Sequence, residues 1–188
     1  LDNTLWGGII GDDGIDKIQL GELGIGKAFV DFQTWIMKLK ERGIIICICS
    51  KNSEDVAKNV FINHPDMKLT LDDVSVFVAN WDSKVDNIKN IQKVLNIGFD
   101  SMVFLDDNPY ERDSVRNNIP DITVPDLPLD PANYLSFLYQ ENLFETISVS
   151  DLDKNRTNLY QTEYERVKLK SNFTDLAEYM LGLNMLSR

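Results

Sequence analysis

The spacing of apolar residues along the first part of the chain predicts a helix followed by a buried strand. Over residues 26–42 the apolar side chains recur at helical spacing, and Gly43 follows, where a helix end favours glycine. Residues 44–49 are an uninterrupted apolar run, largely β-branched, which is typical of a strand covered on both faces. The two segments together predict one helix and strand unit of an α/β protein.

The same unit repeats as far as residue 124. Strands are predicted at residues 74–79, 101–105 and 122–124, and helices after Ser53, at 83–95 and around 111–117. Such alternation, joined by right-handed crossovers, predicts an α/β fold with a doubly wound, Rossmann-like parallel sheet. The sheet would have five strands if Leu1 ends the first of them. Residues 7–24 are rich in glycine and aspartate, which predicts a small hairpin or flap and no large cap.

The pattern beyond residue 130 is helical only. Helices are predicted at residues 134–139, 156–170 and 174–183, and the last two mix charged residues with spaced apolar ones. We therefore predict a catalytic core of residues 1–130 and a helical arm of residues 131–188, which packs on the core or leads into another domain.

Composition and charge narrow the classes of partner. A chain of 188 residues with 43% hydrophobic residues can bury one sizeable core. Its net charge of -11 would repel nucleic-acid phosphates and anionic lipid surfaces, and it has no apolar run near the roughly 20 residues that span a bilayer, so no nucleic-acid or membrane partner is expected. Cys47 and Cys49 lie two apart on one predicted strand, which suits neither a disulfide nor a zinc site. A reducing cytoplasm fits these cysteines best.

Three polar clusters follow predicted strands rather than precede them. Because ligands of open α/β sheets bind outside the carboxyl ends of the strands, these clusters should converge. The clusters are Asp2-Asn3-Thr4, Ser50-Lys51-Asn52 and Asp106-Asp107-Asn108.

Each cluster permits a functional and a plain structural interpretation. The adjacent carboxylates Asp106 and Asp107 repel each other and would suit Mg²⁺, although Asp-Asp-Asn-Pro is also ordinary turn and helix-cap chemistry. Ser50 lies before a predicted helix, whose N-terminus could bind a phosphoryl oxygen, but it could also be a simple cap. Lys84 begins a helix against the preference of the helix dipole, so it is either placed for an anion or a solvated surface lysine.

The order of these clusters resembles the haloacid dehalogenase superfamily of phosphohydrolases and phosphotransferases. The first motif of that superfamily is Asp-x-Asp-x-Thr, and Asp2-Asn3-Thr4 matches its second half. The resemblance implies that an aspartate nucleophile immediately precedes Leu1 and that Asp2 is the general acid and base. It also implies that Ser50 and Lys84 contact the transferring phosphoryl group.

The blocks LDNTLWGG, CSKN, ANWDSK and FLDDNPYER resemble a narrower, capless group, the FkbH-like proteins. This resemblance implies a Mg²⁺-dependent enzyme that dephosphorylates a glyceryl phosphate such as 1,3-bisphosphoglycerate and loads glyceryl onto an acyl carrier protein. Members of the group commonly carry a further acetyltransferase-like domain, toward which residues 131–188 would lead. The alternatives are a capless phosphatase acting on a small phosphate ester and a catalytically silent domain that docks a carrier protein.

The resemblance implies roles for the remaining cluster residues as well. Metal binding falls to Asp106, to Asp107 as the favoured direct ligand, and to Asp2 through its backbone carbonyl. Cys49 is the one thiol placed for an acyl-enzyme, with its pKa lowered by a helix N-terminus, unless it is a small buried strand residue. The implied phosphate-binding residues are Asn3, Thr4, Lys51 and Asn52.

Overall fold

The computed structural model describes residues 1–144 and 156–171 of the chain. The strands are β1 (Cys47–Ser50) and β2 (Val76–Ala79). The helices are α1 (Ile10–Asp13), α2 (Gly24–Glu41), α3 (Glu54–Asn63), α4 (Lys84–Leu95), α5 (Pro109–Asn118), α6 (Tyr134–Glu141) and α7 (Arg156–Ser171).

The two strands form a parallel pair, which confirms the predicted α/β class. Cys47 lies opposite Val76 and Ser50 opposite Ala79, and α3 makes the crossover that parallel strands require. One backbone hydrogen bond extends the pairing beyond the strand start, because the Ser75 amide donates to the Ile46 carbonyl at 2.8 Å. The strands are shorter than the predicted segments at 44–49 and 74–79, since regular ladder pairing begins only at Cys47 and Val76.

The later predicted strands, at residues 101–105 and 122–124, pair with each other through a single bridge. Val103 and Thr123 form a parallel bridge, with the Phe104 amide 2.9 Å from the Thr123 carbonyl and the Thr123 amide 3.1 Å from the Met102 carbonyl. In the described residues the sheet therefore consists of two strands with this bridge as a separate pairing, and its predicted five-stranded extent is not shown.

The main core lies between α2, β1 and α6. Tyr134, the first residue of α6, is only 2% exposed and packs edge-on against Phe29 and Phe32 of α2, with ring centroids 6.5 and 5.7 Å apart. The first helix after residue 130 thus completes the core. The division of the chain at residue 130 stays a prediction.

The segment after the first cluster folds back on itself. Gly7 and Gln19 form an antiparallel bridge through backbone hydrogen bonds of 3.0 and 2.8 Å, in accord with the predicted small hairpin, and α1 lies between them. At the other end of the chain, α7 packs on β2, where the Tyr164 hydroxyl donates to the Phe77 carbonyl at 3.1 Å. The helix predicted at 174–183 lies outside the described residues. In the ranges that are described, the helices lack the combination of length and hydrophobicity that crossing a bilayer requires.

Candidate functional site

The three predicted clusters line one cavity, here called the polar cavity, of about 570 Å³. Asp2 and Asn3, residues 50–52 and residues 106–108 all contribute to its wall, together with Lys84. The cavity lies where β1 and β2 end, because parallel strands bring their carboxyl ends to one edge of the sheet. The predicted convergence of the clusters is therefore present in the structure.

Lys84 and Asp106 form a buried ion pair at the base of the site. The Lys84 Nζ lies 2.5 Å from the Asp106 Oδ2, and the two side chains are only 10% and 5% exposed. The other oxygen of Asp106 accepts a hydrogen bond from the Asn108 amide at 3.0 Å. The burial contradicts the alternative of a solvated surface lysine, and the carboxylate explains how a cation is held at the start of α4.

Asp107 hydrogen-bonds to a different partner, and its surroundings disfavour the ionised form of its carboxyl group. Its Oδ1 accepts a hydrogen bond from the Thr4 hydroxyl at 3.1 Å, and the same hydroxyl lies 3.4 Å from the Asp2 carbonyl oxygen. Burial, followed by the charge of Asp106, raises the pKa of Asp107 above its usual range. A carboxylate oxygen and a carbonyl oxygen thus meet at Thr4, and Asp107 lies next to the negative charge of Asp106.

Three donors fix the carboxylate of Asp2. Its Oδ1 accepts from the Trp6 indole at 2.9 Å and from the Ile10 amide at 3.2 Å, and its Oδ2 accepts from the Asn52 side-chain amide at 3.1 Å. Asn52 is 4% exposed and also accepts from the Ser53 amide. Asn52 therefore helps to hold Asp2 in place, and its contact with phosphate stays a prediction. The contact of Trp6 with Asp2 was not foreseen.

Asn3 shapes the turn between Asp2 and the hairpin. Its φ of 52° lies in the left-handed region, which asparagine tolerates better than most residues, and its side chain accepts from the Gly8 amide at 2.9 Å. Its carbonyl accepts from the Tyr134 hydroxyl at 3.0 Å, and burial raises the pKa of Tyr134 to about 12, which keeps that donor protonated. Asn3 lines the cavity, but its side chain is occupied by the turn.

The loop after β1 supplies a hydroxyl and a second cation. Ser50 is 4% exposed and lines the polar cavity at the end of β1. Lys51 lies 2.6 Å from Glu111 Oε1, and this hydrogen bond raises the pKa of Lys51. Glu111 comes from the first turn of α5 and its side chain is only 10% exposed. Glu111 belongs to the block FLDDNPYER, but no contact was predicted for it from the sequence.

Cys49 is not among the residues that line the polar cavity. Its side chain lines a smaller cavity of about 160 Å³, here called the interior cavity, together with Cys47, Leu5 and Phe104. Burial raises the pKa of Cys49 to about 12. The expected lowering of this pKa is wrong, because burial outweighs the nearby charge of Lys84, although the Cys49 Sγ lies 3.8 Å from the Lys84 carbonyl at the start of α4. Thr4 lines the interior cavity as well, and reaches the site through its bond to Asp107.

The polar cavity has the charge of a cation site but few direct ligands. Within residues 1–144 and 156–171, no three histidine, cysteine, aspartate or glutamate side chains are grouped to hold a metal ion. The cavity wall nevertheless carries five carboxylates and two ammonium groups, an excess of three negative charges. A hard cation such as Mg²⁺ takes one or two carboxylates and keeps several waters, so this wall suits it. The charged residues are Asp2, Asp12, Asp106, Asp107, Glu111, Lys51 and Lys84.

Comparisons with known proteins give one informative likeness. No protein-family model matches the chain, and no curated protein does. Among solved structures the chain is similar to the N-terminal part of the protein BF1531 from Bacteroides fragilis, which contains a phosphatase domain and was crystallised in complex with Mg. The two are 64% identical with a TM-score of 0.78, and the match covers 79% of this chain. The chain spans 40% of the length of that structure.

Proposed function

We propose that the polar cavity is the active site of a Mg²⁺-dependent, phosphatase-type enzyme of the haloacid dehalogenase superfamily. The observation that carries this proposal is the convergence of Ser50, Lys84 and the acidic pair Asp106 and Asp107 at the carboxyl ends of parallel strands. The 64% identity to a phosphatase domain complexed with Mg supports it.

The residues present fit a magnesium ion. The Asp107 carboxylate and the Asp2 backbone carbonyl, which meet at the Thr4 hydroxyl, would hold it. Bound Mg²⁺ would neutralise part of the surplus negative charge and polarise a phosphoryl oxygen. Asp106 is already paired with Lys84, so we assign it to orienting that lysine.

The remaining residues would bind and activate a phosphorylated small molecule. The Ser50 hydroxyl and the Lys84 ammonium would bind phosphoryl oxygens and stabilise the charge that spreads over them during transfer. The Asp2 carboxylate, fixed by its three donors, would protonate the leaving oxygen and then accept a proton from water. The cavity of about 570 Å³ is large enough for a three-carbon acid bearing phosphate.

We propose that the residue preceding Leu1 is the aspartate nucleophile. Leu1 lines the polar cavity together with Lys84, so a residue joined to its nitrogen would lie near that lysine. The interior cavity is lined by residues 44–49 and 103–105 and by Leu1. It offers a place for a preceding strand, which supports the five-stranded form of the sheet.

The resemblance to the FkbH-like group supports a narrower reaction in the cytoplasm, transfer of a glyceryl unit from 1,3-bisphosphoglycerate to an acyl carrier protein. The raised pKa of Cys49 disfavours an acyl-enzyme on that thiol. In this proposal the carrier thiol attacks the acyl carbon and displaces the C1 phosphate, and the aspartate nucleophile takes the C3 phosphoryl group, which water then releases as a second phosphate.

The test uses the protein expressed from its complete gene. Phosphate release from 1,3-bisphosphoglycerate and from simple phosphate esters should require Mg²⁺, stop with EDTA and be lost in Asp107→Asn. The exposed Asp121→Asn is the matched control and should stay active. Intact mass of an added carrier protein tests the transfer: phosphate release with no glyceryl adduct leaves a simple phosphatase. No turnover of any phosphate, with the carrier still bound, would favour the docking domain.

A further inference from the structure

Arg112 binds the backbone of Asp106 and Asp107, here called the acidic turn, from outside the wall of the polar cavity. It lies on α5 and is 7% exposed. One nitrogen of its guanidinium, Nη1, donates to the Asp106 carbonyl at 2.9 Å and to the Asp107 carbonyl at 2.8 Å. Its Nε lies 3.3 Å from a carboxylate oxygen of Asp126. Arg112 does not contribute to the wall of the polar cavity, so it would act on the site through the turn.

The burial of this cation is not explained by its ion pair. Its carboxylate partner, Asp126, is 70% exposed and therefore strongly screened, while the guanidinium itself is nearly desolvated. Burying a charge costs more than burying a neutral donor, and a neutral side chain could also satisfy backbone carbonyls. A buried positive charge behind Asp106 and Asp107 is instead suited to opposing the repulsion between their two carboxylates.

The two hydrogen bonds from Arg112 to the backbone also fix the directions of the Asp106 and Asp107 side chains. When one donor binds two successive carbonyls, both peptide planes are held, and with them the directions in which the two side chains leave the backbone. Asp106 then reaches Lys84, and Asp107 reaches Thr4. We infer that Arg112 is a positioning residue that aims the Asp107 carboxylate at the magnesium site, an inference that rests on the proposed function of the cavity.

The next turn of α5 provides a matched control. Arg116 also pairs with Asp126, and its Nη2 donates to the Val124 carbonyl at 2.9 Å, but it makes no contact with Asp106 or Asp107 in the described part of the chain. Replacing each arginine by lysine keeps the charge and removes the planar guanidinium. The two variants therefore differ in whether the acidic turn loses a contact.

The experiment measures Mg²⁺ binding by isothermal titration calorimetry on the protein expressed from its complete gene, with phosphate release measured in parallel. Arg112→Lys should raise the Kd for Mg²⁺ about 10- to 100-fold, the usual effect of losing a residue that orients a metal ligand. Saturating Mg²⁺ should restore much of the lost kcat. Arg116→Lys should bind Mg²⁺ like the unaltered protein.

A Kd for Arg112→Lys that equals that of Arg116→Lys would overturn the inference. If Arg112→Lys does not fold, Asp126→Asn loosens the outer anchor of the guanidinium, and no weakening of Mg²⁺ binding beyond that of Arg116→Lys would overturn it equally. Absence of Mg²⁺ binding by the unaltered protein would overturn both this inference and the proposed metal site. A weakened Kd in Arg112→Lys without any phosphatase activity in the unaltered protein would support the positioning role and reject the proposed reaction.

Discussion

The polar cavity and the interior cavity meet at the end of β1, share Leu1 in their walls, and have opposite chemistry. The polar cavity carries an excess of acidic groups around a buried lysine, whereas the interior cavity is lined almost entirely by aliphatic and aromatic side chains and the two thiols. Cys49 and Ser50 are neighbours in β1 and line different cavities. Every residue from 44 to 49 lines the interior cavity, so the change at Ser50 comes where β1 ends and not from the alternation of its two faces.

The same contrast occurs within the acidic turn. Asp106 is buried and paired with Lys84, while Asp107 is half-buried, bonded to a neutral hydroxyl, and has a raised pKa. The fold gives the Asp106 carboxylate a cationic partner, whereas it disfavours the ionised form of Asp107. This difference suggests that Asp106 serves the structure of the polar cavity and Asp107 its chemistry, and that substitutions should separate the two.

Removing the buried lysine should have the largest effect. Lys84→Met leaves Asp106 as an uncompensated buried charge, which should lower the free energy of unfolding by about 3–5 kcal/mol and abolish phosphate release. Urea unfolding followed by fluorescence measures the stability. Lys27→Met, which breaks an exposed pair with Asp31, should unfold like the unaltered protein. Equal unfolding midpoints for the two variants would show that the ion pair of the polar cavity is not buried in solution.

Asp107→Asn should separate activity from stability. We expect kcat/KM for phosphate release to fall at least about 100-fold, since metal-based charge stabilisation worth several kcal/mol is lost. The urea midpoint measured in EDTA should stay the same or rise, because burial and the Asp106 charge disfavour the ionised Asp107 carboxylate. A large loss of stability with activity retained would assign Asp107 to the structure of the turn and reverse the contrast with Asp106.

Much of the polar cavity could be predicted because its parts obey local rules. Ser50 and Asp106 each follow an apolar run, and the carboxyl ends of parallel strands share one edge whatever the loop details are. Helices α2 and α4 were predicted to within two residues at each end, since their apolar residues keep a regular spacing. The predicted strands are longer than β1 and β2 because a strand is defined by its partner as well as by its own sequence.

The residues that hold the site could not be predicted in the same way. Glu111 and Arg112 look like ordinary charged residues in the first turn of a helix, and only the tertiary fold brings them to Lys51 and to the acidic turn. The error at Cys49 was avoidable in principle. Cys49 ends an uninterrupted apolar run, and burial of such a residue raises the pKa of its thiol.

Ser50→Ala and Cys49→Ala form the sharpest local test of the contrast between the cavities. Ser50→Ala should lower kcat/KM about 10- to 100-fold, the effect of losing one hydrogen bond to a charged phosphoryl oxygen. Cys49→Ala should leave kcat/KM within about twofold, because its side chain lines only the interior cavity among the described pockets. Steady-state kinetics at saturating Mg²⁺ measures both. A larger fall in kcat/KM for Cys49→Ala than for Ser50→Ala would show that the Cys49 thiol takes part in the reaction.

The smallest effect concerns the two thiols of the interior cavity and appears only in alkaline solution. Burial raises the pKa of both Cys47 and Cys49 from 9.0 to about 12, so only about one native thiol in ten thousand is ionised at pH 8. Iodoacetamide at pH 8 should therefore modify the unfolded protein rapidly and the native protein hardly at all, as read by intact mass.

Because the folded pKa lies above the unfolded one, the stability from these protonated thiols is complete below pH 9 and is lost as the pH rises toward 12. The urea midpoint should fall more steeply between pH 8 and about pH 10.5 in the unaltered protein than in the Cys47→Ala, Cys49→Ala double variant. Parallel decline of the two proteins, or rapid native alkylation, would mean that the interior cavity admits water.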